Sequence, residues 1–264
     1  MKILVISSKG GVGKSTISMQ IVAPYLYEKN NFKPIKFYEF DDENSDSLSY
    51  GGSELTKRKL IEVEDEVLFT QMLEILGQDE NICIDIGGNK STTMALNAMI
   101  KTGAIYEVDM VIIPLLDGEQ DAINASKIYQ QLKSANNNLK IVFGLNKVKN
   151  LKYLKYQFDN FFGDIRGIFN DVNALIHILE DDEKENYIAI LDDSVIKYSR
   201  KFGTTIYEIA NQDRDFRMEL NKVNDIKEKK LIGFKNLVYT DCKKYLENVI
   251  KPAFEKLNYI GDKK

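Results

Sequence analysis

A doubly wound α/β fold, with a mainly parallel sheet covered by helices on both faces and a helical C-terminal end, is predicted by three features of this 264-residue chain. Apolar runs recur at residues 2–7, 35–40, 81–86, 109–115, 140–145 and 187–191, mostly separated by stretches long enough for a helix. Strands so spaced need crossover connections, which set them parallel and cover both faces of the sheet. A glycine-rich turn follows the first run at once, giving the order strand, turn, helix. Past Asp213 the pattern changes: Tyr245, Leu246, Val249, Ile250, Ala253, Phe254 and Leu257 recur at helical spacing and share one face, as in a terminal helix docked on a core.

Length and composition fit one domain over residues 1–264. A folded chain of this size buries roughly 70–75% of the surface it would expose unfolded. The sequence has no internal repeat, no low-complexity linker and only four scattered prolines to mark a hinge. Residues 151–186 exceed a simple crossover and read as a helical elaboration of two helices, and residues 214–264 read as helices packed on the core. Cys83 and Cys242 have neither metal-ligand spacing nor the density of a secreted scaffold, so reduced structural thiols are expected. No run is long enough to span a bilayer and no basic-then-apolar leader opens the chain; the expectation is a soluble, cytoplasmic protein. The net charge of −4 argues against a uniformly basic surface. It is unevenly spread, however: residues 214–264 carry thirteen Lys/Arg against eight Asp/Glu.

The turn after the first run reads KGGVGKST, Lys9 to Thr16. Gly10, Gly11 and Gly13, together with Val12, let backbone N–H groups converge on phosphate oxygens at the start of the following helix. Lys14 then reaches the β- and γ-phosphates, and Ser15, followed by Thr16, is placed to ligate Mg²⁺. This predicts a sheet of the P-loop NTPase type with ATP and Mg²⁺ as its ligands. The usual first glycine of the motif is replaced by Ser8, and a second lysine, Lys9, stands at the loop's entrance.

Farther along, FYEFDDENSDS holds five acids from Glu39 to Asp46 and no base, and ENICIDIGGN is an apolar run ending in Asp85, followed by Gly87 and Gly88. Asp85 is the type of residue that binds a water of the Mg²⁺ shell, since Mg²⁺ takes few protein ligands. KIVFGLNK ends in Asn146, whose amide offers the donor and acceptor that an adenine edge requires, although a turn asparagine fits the residues equally well.

KGGVGKST resembles the deviant Walker A loop of the ParA/MinD group of ATPases. The resemblance implies that Lys9 is a signature lysine that crosses a dimer interface to the partner's ATP, making ATP the glue of a homodimer. It aligns Glu39-Phe40-Asp41 with the family's D-x-D and so gives Asp41 contact with the attacking water. Asp85-Ile86-Gly87-Gly88 matches the second switch, and Asn146 matches an adenine-reading position. The sequence departs from the family at Glu39, Asp42 and Glu43, and at Leu191-Asp192, where relatives often carry a proline.

Cysteine usage sets aside iron-protein-like reductases and CxxC-bearing targeting ATPases, and Tyr239, Tyr245 and Tyr259 are too spread for a kinase tyrosine cluster. The resemblance then implies a slow, partner-stimulated ATPase, closest in layout to short ParA-type partition proteins. Expected partners are a second copy of the chain, an adaptor or centromere-binding protein that stimulates hydrolysis, and DNA bound without sequence preference. Lys227, Lys229, Lys230, Lys243 and Lys244 are candidates for the DNA contact. A MinD-like membrane-cycling ATPase is the alternative, disfavoured because Pro252 is expected to interrupt the last helix and the tail lacks an apolar anchor. A conjugation-accessory ATPase would look the same, and a small-molecule ligase of the superfamily remains a further reading.

Overall fold

The computed structural model describes residues 1–40, 46–61, 65–168 and 174–263. Its centre is a seven-stranded sheet in the order β3-β2-β4-β1-β5-β6-β7, with every neighbouring pair parallel. The strands are β1 (Lys2–Ile6), β2 (Ile35–Phe40), β3 (Thr56–Ile61), β4 (Ile82–Ile86), β5 (Met110–Leu115), β6 (Lys140–Val148) and β7 (Tyr187–Leu191). Six of them coincide with the apolar runs. β4 and β5 are buried along their whole length, which is why they read as unbroken apolar stretches rather than alternating ones.

β3 was not expected from the sequence. TKRKLI has no apolar run, because β3 is an edge strand whose burial alternates and whose Lys57, Arg58 and Lys59 are suited to a sheet border.

Helices cover both faces. On one lie α1 (Lys14–Ile17), a wide π-type turn (Ser18–Val22) and α2 (Ala23–Lys29), which run on as one helix from the phosphate loop. The other face carries α3 (Asp65–Leu76), α4 (Asn89–Thr102), α5 (Glu119–Ala135), and the short α6 (Leu154–Gln157) and α7 (Asp159–Phe162). Among the described residues the elaboration at 151–186 contains two single-turn helices with short 3-10 turns at Leu151–Tyr153 and Leu175–Ile178, and Phe158, Phe161 and Phe162 are buried in the core.

After β7, α8 (Ser194–Lys201), α9 (Ile206–Ala210), α10 (Phe216–Asn221), α11 (Ile226–Tyr245) and α12 (Lys251–Asp262) follow. Val238, Cys242, Tyr245, Val249, Ile250, Phe254 and Leu257 close the core on the α1 face. Pro252 does not interrupt this helix. A π-type turn (Leu246–Ile250) precedes it and it is the second residue of α12, so the missing N–H falls where the hydrogen-bond ladder is already widened. Both cysteines are free and buried; burial pushes the Cys83 thiol well up and that of Cys242 to about 12, so neither is a thiolate at neutral pH.

Candidate functional site

The C-terminal ends of β1, β2, β4, β5 and β6 bring the motif residues to one edge of the sheet. The loop leaving β1 turns through Gly11 and Gly13, both left-handed (φ 74° and 98°). A Cβ on Gly13 would lie 1.8 Å from Asn146 Nδ2, so this position has no room for a side chain. Nothing stands within 4 Å of where a Cβ on Gly11 would be, and its need for glycine in the single chain rests on φ alone. Asn146, at the end of β6 and buried, donates from Nδ2 to Val12 O at 2.8 Å. One of its two N–H groups is thus committed to the loop backbone.

The two lysines are held in different ways. Lys14 is buried and folds back over its own loop, its Nζ donating to Lys9 O at 3.2 Å. Lys9 reaches outward and pairs with Asp121 Oδ2 at 2.7 Å, its side chain 40% exposed against 3% for the acid. Asp121 sits in the first turn of α5, where the helix dipole favours a carboxylate, and its other oxygen is buried without a hydrogen-bond partner. Sequence reasoning missed Asp121: it is 112 residues from Lys9, and no local motif marks it.

Asp85 ends β4 and is 2% exposed. Among the described residues neither carboxylate oxygen has a hydrogen-bond partner of normal geometry. Burial, then the charge of Glu39 directly across in β2, raise its pKa to about 7 against the lowering influence of Lys14 and of the Ser15 and Ser18 hydroxyls. Glu39 is itself buried and accepts from the Ser47 amide at 3.3 Å and from the Ser47 hydroxyl. Gly87 donates to Phe40 O at 2.7 Å and Thr92 Oγ1 to Ser7 O at 3.1 Å, so the segment after Asp85 is tied to both β2 and the loop entrance. Asp41 lies outside the described residues.

A buried carboxylate with two unpartnered oxygens fits a hydrated Mg²⁺ better than a metal held by protein alone. No group of three or more His, Cys, Asp or Glu suited to a metal occurs among the described residues. Ser15, half-buried at the start of α1, is the other candidate ligand. Thr16 is buried, and its Oγ1 accepts from Arg200 Nη2 at 2.7 Å.

A parallel sheet with a glycine-rich loop between β1 and the first helix defines the class: a P-loop NTPase-type α/β fold. No family model matches the chain, and no curated protein matches it. Solved structures do. The chain is similar to apo McdA of Cyanothece at 13% identity, over 80% of this chain and 94% of that one, with a TM-score of 0.50. A Borrelia burgdorferi protein assigned to plasmid partition and bound to AMPPNP is 18% identical over 89% and 98% of the two chains (TM-score 0.47). The MinD cell division protein of Aquifex aeolicus is 13% identical over 81% and 90% (TM-score 0.48). The likeness is one of fold.

Proposed function

We propose that this chain is an ATP-dependent dimerising switch ATPase that acts in DNA partition or cargo positioning. One observation carries the reading: a single loop holds two lysines, one turned inward onto its own backbone and one turned outward onto an acid of α5. Among the described residues the Lys14 ammonium donates to a neutral carbonyl of its own loop, which a phosphate can displace, so it serves the nucleotide of its own chain. Lys9 is half-exposed and holds a carboxylate that a phosphate can replace in kind, which suits a lysine that exchanges Asp121 for the partner's ATP on dimerisation.

Ser15 and Asp85 would hold Mg²⁺, which would neutralise charge on the β- and γ-phosphates when bound. Asp41 is assigned the water-orienting role. With one Asn146 N–H given to Val12, the second N–H and Oδ1 are left to donate to and accept from an adenine edge. That AMPPNP occupies the Borrelia protein supports ATP as the nucleotide here.

DNA is the surface proposed for the ATP dimer. Lys227, Lys229 and Lys230 are all exposed on the first turns of α11, which supports a phosphate-facing role. Lys244 pairs with Asp241 at 3.0 Å and Lys243 lies over the Tyr239 ring, so these two are less free to act. No helix among the described residues is long and apolar enough to cross a membrane. The test is light scattering and calorimetry with ATP and ADP: ATP should give a dimer and ADP a monomer. Binding of neither nucleotide would overturn the reading.

A further inference from the structure

Arg200 stands on α8, 184 residues from the phosphate loop in sequence, yet its guanidinium lies against it. Nη2 donates to Thr16 Oγ1 at 2.7 Å and Nε to the Tyr50 hydroxyl at 3.0 Å, while the group as a whole lies 5.6 Å from the Tyr50 ring centroid. Among the described residues no carboxylate pairs with it. Among the described residues this half-buried arginine is held by two neutral hydroxyls, which use two of its five N–H donors, and no counter-ion faces it.

The geometry points to Arg200 as a phosphate-binding residue of the nucleotide site, acting at the α-phosphate together with Thr16. Along the loop the backbone N–H groups cradle the α- and β-phosphates, Lys14 is placed for the β- and γ-phosphates and Ser15 for Mg²⁺, which leaves the α-phosphate to Thr16, the next residue into α1. Because Thr16 Oγ1 already accepts from Arg200, its own O–H is turned away from the guanidinium and free to donate to an anion. A phosphate oxygen there receives a hydroxyl and a charge-assisted N–H from one preset pair. The pair is braced from behind. Gln20 Nε2 donates to both Tyr50 OH (3.1 Å) and Ser199 Oγ (2.9 Å), and its Oε1 accepts from Ile206 N (2.8 Å). Tyr50 is wholly buried, so the guanidinium sits on a fixed platform rather than on a mobile loop.

This inference rests on the loop being a nucleotide site, and it makes a demand that Lys9 does not. The α-phosphate is common to ADP and ATP, so Arg200 strengthens both equally, whereas Lys9 acts only where ATP joins two chains. Sequence reading passed over Arg200 because YSRKFG carries no motif and its two partners are 150 and 184 residues away.

The test is calorimetric titration of the full chain with Mg-ADP and with Mg-AMPPNP, for the parent, Arg200→Met, Arg200→Gln, Arg200→Lys and Tyr50→Phe. Loss of one charge-assisted contact should weaken both nucleotides of the Met and Gln variants by the same factor, about 10- to 100-fold. Arg200→Lys should recover part of the loss, and the parent's advantage should shrink in high salt. Adenosine, which lacks the phosphate, should bind all the variants alike. Parental ADP affinity in the Met or Gln variant overturns the inference, as does a loss no larger than that of Tyr50→Phe, which marks a packing role. Should Arg200→Met fail to fold, the Gln and Lys variants decide. A parent that binds no nucleotide refutes the reading of the loop itself.

Discussion

The entrance and the exit of the phosphate loop are five residues apart and are built on opposite principles. At the exit, Lys14 is buried and donates to the loop's own backbone. Everything it needs is local, and the segment GKST announces it. At the entrance, Lys9 is half-exposed and its charge is answered by a buried aspartate on α5, far along the chain. On the function proposed above, the exit receives a nucleotide and the entrance lets a cation change partners. That reading separates nucleotide binding from the response to it, and mutation can test the separation.

The largest effect is expected at the exit. Lys14→Ala should weaken ADP and ATP binding by about a hundredfold or more, the scale of losing charge-assisted hydrogen bonds to phosphate. Calorimetric titration reads this directly, and parental affinity would remove Lys14 from the site. Next is Asp41→Ala, expected to lower turnover on the order of a hundredfold, as for a lost water-orienting group. Single-turnover hydrolysis at saturating ATP tests it, and an unchanged rate would move the role to Glu39 or to another acid of the segment.

Asp121→Asn sharpens the contrast at the entrance. Removing the carboxylate frees Lys9 without touching Lys14, so the ATP dimer should form at several-fold lower protein concentration while ADP affinity stays parental. If Asp121→Asn instead abolishes the dimer, the acid acts within the interface and does not restrain Lys9.

Asp85 gives a pH-dependent prediction. Its carboxyl is raised from the ordinary aspartate range to about 7, so between those values the folded chain keeps a proton that the unfolded chain has released. The stability it contributes therefore falls as pH rises from about 4 to about 7, by a few kcal/mol at most. Without nucleotide, Asp85→Asn should melt above the parent at pH 8, with the gap closing as the pH is lowered toward 4. A gap that is constant with pH would mean Asp85 titrates as an ordinary aspartate. Smallest of all is the effect expected of Lys229→Glu with Lys230→Glu on α11. It should reduce DNA affinity of the ATP dimer about equally for unrelated sequences and lower the salt dependence, because phosphate contacts carry no sequence information. An ATP-dependent association with anionic vesicles in place of DNA would turn the reading toward a membrane.

What the sequence disclosed follows the same division. Where structure is set by neighbours in the chain it was legible: β1, β4 and β5 are apolar because they are covered on both faces, and the loop is recognisable because its glycines and Lys14 act through local geometry. β3 was hidden because an edge strand needs little apolar content. Asp121 and Arg200 were hidden because a side chain that acts on a loop more than a hundred residues away leaves no spacing to find. Pro252 misled, since proline predicts a break and the chain absorbs it in a π-type turn. Asn146 was singled out as either an adenine reader or a turn residue, and its bond to Val12 is a contact that only the folded loop creates.

The exchange of Lys9 from Asp121 to a partner's ATP is tested most directly by light scattering of Lys9→Ala in the Asp41→Ala background, compared with Asp41→Ala alone, in ATP and in ADP. With ATP the single variant should be a dimer and the double variant a monomer, while calorimetry shows that both bind ADP with like affinity. A dimer that persists without Lys9, or a monomer under every nucleotide condition in the single variant, would contradict it.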